Sequence, residues 1–471
     1  MQKLLRLAFV LLATATFAQA GHIMQGVGSV NMSMGGAATA QPLDISGALQ
    51  WNPAAISVFD SKIINFDIGA FFSSPELSSS LPAGAMWQAN QYYPGQPASP
   101  AVSGITKDDR GVSPMPALAY VYGKEGSKHT FGVSAFGISG FGVTFPVDNN
   151  SPVDAQGNPN PDFNPTINSN PVNYPQAAKG FGHIESDYML LQIGIAWAYE
   201  LTNELSIGIQ PTINYAALEL APNPIASPDF TPPAGAPGDK GYPVSDKASA
   251  IGFGAQFGVF YNSPTGFKLG ASYKTSQKFS DLEFKNTYLD GTAAPDAAFN
   301  MDYPAILSLG FGYSTGDMDL AVDYRYVDYE NTNGFAEKGW TPTGSVQGFG
   351  WKNMNILSVG LQYKGIEKLP LRVGYTYSSN PIDSELAFFS IPATAIIKNA
   401  FQFGTSYPIS DNFKVNGVFH YGTSGGETSG KILNPGLAQT YPPYGAIPGS
   451  EVSYKMTTSM VMLGLTYTFS K

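Results

Sequence analysis

The 471-residue sequence contains no cysteine, which excludes disulfides, thiolate metal sites and cysteine nucleophiles. Charged residues are also scarce, at 13% of the chain, and the formal net charge of −10 argues against a nucleic-acid partner. After residue 20 no apolar run reaches the roughly 18 residues that a membrane helix needs. Glycine and aromatic residues are abundant instead, with 52 Gly, 30 Phe and 26 Tyr. This composition favours a β-barrel with broad apolar exposure.

Residues 1–20 are typical of a secretion signal. Lys3 and Arg6 form a positive amino-terminal region, and a mostly apolar stretch too short to span a bilayer follows. Residues 18–20 (AQA) match the small-x-small cleavage pattern. We therefore expect an exported protein whose mature chain begins at Gly21 and has no helical anchor.

Beyond residue 60 the apolar residues recur with period two. Residues 357–363, 320–326 and 461–469 each place apolar side chains on one phase and small or polar ones on the other. Such alternation gives each strand one apolar and one polar face. We predict about fourteen strands, near residues 62–72, 115–123, 129–138, 184–200, 203–218, 248–262, 265–284, 303–315, 317–330, 352–364, 369–378, 396–408, 412–422 and 452–469.

Short and long connections alternate strictly between these strands. The short ones, such as residues 123–127 and 408–412, are rich in turn residues, whereas the long ones include 73–114 and 139–183. An outer-membrane barrel has this arrangement, with short turns in the periplasm and long loops outside. A secreted β-sandwich is the alternative, but it would not require every second loop to be long. The predicted fold class is therefore all-β, a fourteen-stranded antiparallel transmembrane β-barrel.

The segment of residues 21–60 differs from the barrel region, residues 61–471. It is rich in Gly and Ala and shows no strand alternation. A barrel of fourteen strands encloses a lumen wider than side chains can fill, because the diameter grows with strand number. We predict that residues 21–60 form a hatch that plugs this lumen, with Gly26, Gly28 and Gly35 permitting a tight path.

The sequence resembles the FadL-type outer-membrane transporters (OMPP1/FadL/TodX), which include long-chain fatty acid and aromatic hydrocarbon carriers. In the hatch the resemblance is carried by residues 33–38 (SMGGAA), by Asp44, and by Asn52 and Pro53 with the three residues that follow them. Further matches follow downstream, at residues 304–313 (PAILSLGFGY), 371–377 (LRVGYTY), 381–382 (PI), 391–392 (IP) and 401–404 (FQFG). The resemblance implies a fourteen-stranded barrel with an N-terminal hatch, as the strand count also indicates.

The resemblance also implies a route. A hydrophobic molecule is captured by the outer loops, enters a pocket above the hatch, and leaves sideways through the wall at a kinked third strand. In this chain Gly137, Gly140 and Gly142 lie in that strand, and glycine in a strand often marks a bulge. A strand end that loosens into the following loop is the alternative reading. Phe136 and Phe141 are the aromatic residues expected to line the path.

Two basic residues are candidate ligand contacts. Lys352 and Arg372 lie near basic positions of the family, and their phase predicts that they point inward. Solvated lumen charges paired with carboxylates such as Asp323 are the alternative. Residues 214–220 (NYAALEL) carry no basic residue where the family places them, which argues against an anionic ligand.

Nothing in the sequence predicts catalysis. His22, His129, His183 and His420 are scattered without metal-ligand spacing, so no metal or cofactor is expected. Residues 422–426 (GTSGG) have the spacing of a nucleophile elbow but lie in a Gly/Ser-rich stretch rather than a strand-to-helix turn. An enzyme is therefore not expected.

The predicted function is passive uptake of hydrophobic compounds across the outer membrane of a Gram-negative bacterium. The expected partners are a fatty acid, an alkane or a monoaromatic compound, together with outer-membrane lipid and lipopolysaccharide, and the protein is expected to be a monomer. A general porin for polar solutes is the main alternative. An outer-membrane enzyme or adhesin is a third.

Overall fold

The computed structural model describes residues 22–91, 94–229 and 240–470. The predicted signal peptide, residues 1–20, and Gly21 lie outside the described residues. Within the described part, fourteen long strands are numbered β1 to β14. In chain order they are Lys62–Leu81, Val112–Tyr122, His129–Phe145, Ile184–Glu200, Leu205–Ala221, Ala248–Asn262, Phe267–Lys274, Ala305–Ser314, Met318–Asp328, Met354–Tyr363, Leu371–Ser378, Asn399–Pro408, Phe413–Thr423 and Glu451–Thr468.

The strands close into an antiparallel barrel. Each pairs with the strands before and after it in the chain, and β1 pairs with β14 from Ile63 opposite Thr468 to Ser80 opposite Glu451. The predicted fold, strand number and strand order are confirmed. The predicted bounds of β4 and β6 agree to the residue, whereas β1 and β3 each run several residues further into regions predicted as loops.

The two faces of the barrel wall differ in polarity, as the period-two pattern predicts. On β9 the side chains of Asp323 and Arg325 are buried inside, whereas Tyr324 between them is 40% exposed on the outer face. Large apolar side chains such as Leu463, which is 58% exposed, cover the outer face of most strands. An apolar outer face and a polar inner face suit strands that are surrounded by lipid.

One end of the barrel carries short turns and the other carries long loops. The long-loop end contains a three-stranded antiparallel sheet of Val244–Ser245, Leu282–Thr287 and Ala293–Phe299. The short strands Val102–Lys107, Lys278–Phe279 and Thr428–Gly430 extend the wall there. The 3₁₀ helices at this end are Pro171–Asn173, Gln176–Ala178, Ser384–Ala393 and Pro435–Leu437. No helix in the described ranges is long and apolar enough to cross a membrane.

Residues 22–59, the N-terminal segment, lie inside the barrel. The segment contains helix α1 (Ser29–Ser33), helix α2 (Ile45–Trp51) and a 3₁₀ helix (Pro53–Val58). Asp44 caps α2 by accepting a hydrogen bond from the Gly47 N–H at 3.2 Å, which satisfies a donor that the helix leaves free. Asn52 and Pro53 begin the 3₁₀ helix, with the Asn52 side chain accepting from the Ala54 N–H.

The N-terminal segment is fixed to the wall by backbone contacts and buried polar groups. The Asn52 side-chain amide donates to the Val259 carbonyl on β6 at 3.0 Å. On β1, Asp67 accepts from the Ser29 N–H at 2.9 Å. Gly374 on β11 faces Gly35, and a Cβ at Gly374 would overlap the backbone of the segment. Small residues on the inner face of the wall therefore let the segment approach closely.

Candidate functional site

Strand β3 contains a β-bulge on its way to the long-loop end. It pairs with β4 in register through Gly137, opposite Leu191, and then resumes one residue out of step at Ser139, opposite Leu190. Ile138 is the extra residue. A bulge bends a strand and disrupts the neighbouring ladder. The bend therefore lies at the first of the three glycines that the sequence singles out, and Gly140 and Gly142 lie beyond it.

Beyond the bulge, β3 is no longer paired with β2. The β2–β3 ladder runs from Tyr122 to Ala117, opposite Phe136, and stops there, although β2 continues to Val112 in register with β1. The hydrogen-bonded ladder of the barrel wall is consequently interrupted between residues 112–116 of β2 and residues 137–143 of β3. We call this the wall gap.

The sequence of β2 explains why the ladder stops. Pro114 and Pro116 have no N–H, and because they are two residues apart, their missing donors face the same neighbouring strand. Since β2 stays paired with β1 throughout, that neighbour is β3. Pro211 on β5 shows the same effect: β5 pairs with β6 past it, but its pairing with β4 is interrupted there.

The outer end of the wall gap is bridged by the residues that precede β2. The Thr144 N–H donates to Asp108 at 2.5 Å, and the Asp109 N–H donates to the Thr144 carbonyl. Arg110 then crosses β3 at Gly142 and donates to the Asp187 carboxylate on β4 at 2.5 Å. A Cβ at Gly142 would overlap the Arg110 guanidinium. Gly142 therefore makes room for Arg110 and does not create the bend.

The beginning of the N-terminal segment binds the bulge from inside the barrel. The His22 carbonyl accepts hydrogen bonds from the Gly140 N–H at 3.1 Å and from the Ser139 hydroxyl at 2.7 Å. The Met24 N–H donates to the Ile138 carbonyl at 3.0 Å, so Ile23 and Ser139 lie opposite each other in a short bridge. The Gly140 N–H and the Ile138 carbonyl, which do not pair with β2, thus bond to the N-terminal segment. The segment thereby covers the wall gap from inside the barrel.

The His22 side chain lies among five aromatic rings, which we call the aromatic box. The nearest is Phe335, with ring centroids 4.6 Å apart. Tyr188 lies on β4, and Tyr303 lies two residues before β8. The connection between β9 and β10 provides the other three rings, those of Tyr329, Phe335 and Trp351. The Tyr329 hydroxyl lies 2.7 Å from Nδ1 of His22. The box is fully buried.

Of the two predicted aromatic path residues, the structure places Phe141 against the aromatic box. Phe141 stacks on Tyr188, with centroids 4.9 Å apart, and meets Phe349 edge to face at 6.0 Å. Phe349 in turn stacks on Phe335. Phe136 is buried at the last position of β3 that pairs with β2, opposite Ala117. It therefore borders the wall gap.

Two apolar clefts at the long-loop end lead towards the box. The outer cleft has about 410 Å³ of open space, including its mouth, and every lining residue is apolar: Phe181, Ile184, Pro222, Pro224, Trp340, Val346, Phe388, Phe389, Ile391 and Pro392. The inner cleft shares Pro224, Val346, Phe389 and Pro392 with it. Phe349 lines the inner cleft and also touches the aromatic box.

The two predicted basic contacts lie elsewhere. Lys352 is exposed in the connection between β9 and β10 and pairs with Asp383 at 2.7 Å, so its role as a ligand contact stays a prediction. Arg372 does point inward, but at the short-turn end, where it donates to Gln362 and Ser406. Since β10 and β11 meet there, Arg372 lies below the N-terminal segment and not beside the clefts.

Burial sets the charge state of two groups of the N-terminal segment. It lowers the pKa of His22 to about 3, because the aromatic surroundings disfavour the imidazolium. Burial also raises the pKa of Asp44 to about 7, and the nearby carboxylate of Asp67 adds to the shift. His22 is therefore neutral in the folded protein at neutral pH, whereas Asp44 is partly protonated.

No group of three His, Asp or Glu side chains in the described ranges is arranged to hold a metal ion. His420 is buried in the lumen beside Gln402 and Thr458, at 3.2 and 3.4 Å. Asp323 and Arg325 form a buried ion pair in the lumen at 2.8 Å. These polar groups serve the packing of the lumen.

Sequence reasoning missed the aromatic box. Its residues are spread over more than three hundred positions, from His22 to Trp351, and no local pattern of the sequence connects them. One signal was available: Tyr188 is a large aromatic residue on the same phase of β4 as Gln192, which is the inward one. An aromatic side chain on the lumen face has no lipid to contact and indicates an internal apolar site.

Comparison with known proteins gives the family. The sequence profile of the outer membrane protein transport proteins (OMPP1/FadL/TodX) matches residues 175–470. The chain belongs to this family. No curated protein matches it in sequence.

Solved FadL/TodX structures have the same fold. The Pseudomonas putida toluene transporter TodX is 16% identical with a TM-score of 0.64, covering 95% of this chain and 99% of that one. A Pseudomonas aeruginosa FadL homologue is 14% identical with a TM-score of 0.67, over 96% and 100%. The Ralstonia pickettii toluene transporter TbuX is 16% identical with a TM-score of 0.59, over 95% and 99%. At these identities the similarity establishes the architecture.

Proposed function

We propose that this protein is an outer-membrane transporter for the passive uptake of hydrophobic compounds such as long-chain fatty acids or hydrocarbons. Similar folds belong to proteins described as toluene transporters and monoaromatic hydrocarbon channels. The lipid-facing outer wall supports insertion in an outer membrane, in contact with its lipids. Neither clefts nor aromatic box contain a constellation suited to catalysis, so transport is the activity proposed.

The observation that carries this proposal is a chain of apolar surfaces from the loops to the wall gap. The outer cleft joins the inner cleft through four shared side chains, and the inner cleft joins the aromatic box through Phe349. The box contains His22, whose carbonyl binds the β3 bulge. Binding sites for apolar molecules are lined in this way, with few polar groups.

We further propose that the molecule leaves through the wall gap into the membrane. The gap faces the outer surface of the barrel and is covered from inside by residues 22–24, which are held there by three hydrogen bonds. A hydrophobic molecule that displaces these residues from the box reaches the gap directly. The direction is downhill, because transfer from water into lipid is favourable for apolar surface.

The bridge between Ile23 and Ser139 provides a test of the lateral exit. The flanking hydrogen bonds make these residues a non-hydrogen-bonded antiparallel pair, whose Cα atoms lie about 4.5 Å apart and suit a disulfide. The chain has no other cysteine, so the double variant I23C/S139C can form a single defined bridge.

The oxidised I23C/S139C variant should lose most of its uptake of a hydrophobic substrate by proteoliposomes, and reduction should restore it. Each single cysteine variant, treated with the same oxidant, is the matched control. Full uptake by the oxidised double variant would contradict exit through the gap while leaving hydrophobic transport intact.

A general porin is distinguished by conductance. Because residues 22–59 fill the lumen, the intact protein should show little steady conductance in a planar bilayer, whereas a porin shows large pores. Deleting Gly21 to Phe59 should raise ion conductance if the segment is a hatch. Unchanged conductance in a folded deletion variant would remove the hatch assignment.

A further inference from the structure

We propose that the aromatic box binds a neutral hydrophobic molecule that carries one hydrogen-bonding oxygen, such as a phenol, an alcohol or a ketone. This inference rests on the proposed function and narrows its substrate class. The expected ligand differs from a plain hydrocarbon by its hydrogen-bonding oxygen and from a fatty acid carboxylate by its lack of charge. Three observations support it: unpartnered polar atoms, the engagement of nearby charges, and the ring that now fills the box.

Three polar atoms in the box have no hydrogen-bond partner among the described residues. They are the hydroxyls of Tyr188 and Tyr303 and Nε2 of His22, and all three side chains are fully buried. A buried polar group without a hydrogen-bond partner is unfavourable, because it has lost its bonds to water. A ligand oxygen that takes the place of the His22 ring would satisfy one or both of the two tyrosine hydroxyls. A hydrocarbon of the same shape would satisfy none.

The charges nearest the box are already engaged, which argues against an ionised ligand. Asp302, beside Tyr303, accepts from the Lys278 ammonium at 2.6 Å and from the Phe279 N–H. Arg325, on the other side of Tyr303, pairs with Asp323 and lies 3.6 Å from the centre of the Trp51 ring. A carboxylate in the box would therefore compete with Asp302 for Lys278 and with Asp323 for Arg325, and burying it without a paired cation is strongly unfavourable.

The His22 imidazole shows what shape the box accepts. It is a flat ring with two polar edge atoms, packed among aromatic rings at centroid distances of 4.6 to 6.1 Å. One edge atom bonds to the Tyr329 hydroxyl and the other is unpaired. A ring bearing a hydroxyl is a close substitute. A ligand that takes this place must displace His22, whose carbonyl holds the β3 bulge, so the same event frees the wall gap.

The test compares three ligands that share a methylbenzene frame: toluene, p-cresol and p-toluate. Calorimetric titration of the purified detergent-solubilised protein at pH 7 keeps p-cresol neutral and p-toluate ionised. We expect p-cresol to bind about tenfold more tightly than toluene, consistent with gaining a hydrogen bond to buried partners. We expect p-toluate to bind more weakly than p-cresol.

The outcomes separate this inference from the proposed function. Equal affinity for toluene and p-cresol, or a preference for p-toluate, overturns the assigned ligand class and leaves a hydrophobic carrier. Absence of binding by all three overturns the carrier as well as the ligand class.

Conservative variants locate the effect. Y188F and Y303F keep the rings and remove the hydroxyls, so each should reduce the preference for p-cresol over toluene by about threefold or more, with toluene affinity nearly unchanged. Y407F is the matched control, because Tyr407 lies on the outer face of β12 and is 55% exposed. A preference unaltered in both box variants would place the binding site elsewhere and overturn the assignment.

Removing the ring that fills the box provides a second, independent readout. H22A leaves the backbone bonds to β3 available and vacates the space among the rings, so p-cresol should bind more tightly to H22A than to the unmodified protein. Weaker or unchanged binding would contradict the substitution of ligand for imidazole. Heat-modifiable migration in gels verifies that each variant is a folded barrel.

Discussion

Asp323 on the barrel wall accepts two hydrogen bonds from Thr39 of the N-terminal segment, one from its N–H at 2.9 Å and one from its hydroxyl at 2.8 Å. The same carboxylate oxygen accepts from the Ala38 N–H and from Arg325. Arg325 lies over the Trp51 ring of the segment, 3.6 Å from its centre. One buried ion pair of the wall therefore holds the middle of the loop between α1 and α2 and the last residue of α2.

Replacing Asp323 with alanine should weaken the attachment of the N-terminal segment to the wall. The change leaves Arg325 buried without a counter-ion, and breaking a buried pair in this way costs about 3–5 kcal/mol. We expect increased steady conductance in planar bilayers and a lower urea midpoint. D383A is the control, because the exposed pair of Asp383 with Lys352 contributes little. Conductance equal to that of D383A would show that Asp323 does not anchor the segment.

The docking of the N-terminal segment in the barrel should become less stable as the pH rises through neutrality. Burial raises the pKa of Asp44 from 3.8 to about 7, so the docked segment binds more protons than the undocked one. Docking stability is therefore full below about pH 4 and is lost as the pH rises through 7. The pKa of His22 is lowered to about 3, so its opposite effect is confined to pH values below about 6.5.

We expect bilayer conductance to be higher at pH 8 than at pH 6, and we expect D44N to remove this rise and leave only the smaller opposite effect of His22. Asparagine is an equally good helix cap, so α2 is preserved in this variant. A rise of the same size in D44N would assign the pH dependence to another group.

Restoring the missing donors of β2 should narrow the wall gap. In P114V/P116V the two new N–H groups can pair with β3 beyond Ala117, and valine favours strands. Uptake of a hydrophobic substrate into proteoliposomes should fall. P211V is the matched control: Pro211 interrupts pairing between β4 and β5, away from the gap. A similar loss in P211V would attribute the effect to barrel stability.

Gly142 and Arg110 should behave as one unit in unfolding experiments. Valine at Gly142 displaces the Arg110 guanidinium, and R110A removes it, so both variants lose the same hydrogen bonds to Ser186 and Asp187. Hydrogen bonds of charged groups contribute about 1.5–3 kcal/mol. In a double-mutant cycle the combined loss of stability should be smaller than the sum of the two single losses, although valine also crowds the Ser186 carbonyl. Additive losses would mean that Gly142 serves a purpose other than admitting Arg110.

The sequence by itself determined the barrel. Alternation at β9 and β14 follows from a wall between lipid and lumen, and this constraint applies residue by residue, so a local pattern records it. The strict alternation of short and long connections fixed the order of the strands. The bend in β3 could also be predicted from the sequence, because glycine inside a strand, as at Gly137, often marks a bulge.

The tertiary structure alone decided the site. His22 meets Tyr303 and Tyr329 only because the chain returns to the same end of the barrel hundreds of residues later. Gly142 makes room for Arg110, and Lys352 pairs with Asp383, because of neighbours that no local pattern specifies. Closing the barrel brings such side chains together, so their roles depend on distances that the order of residues does not contain.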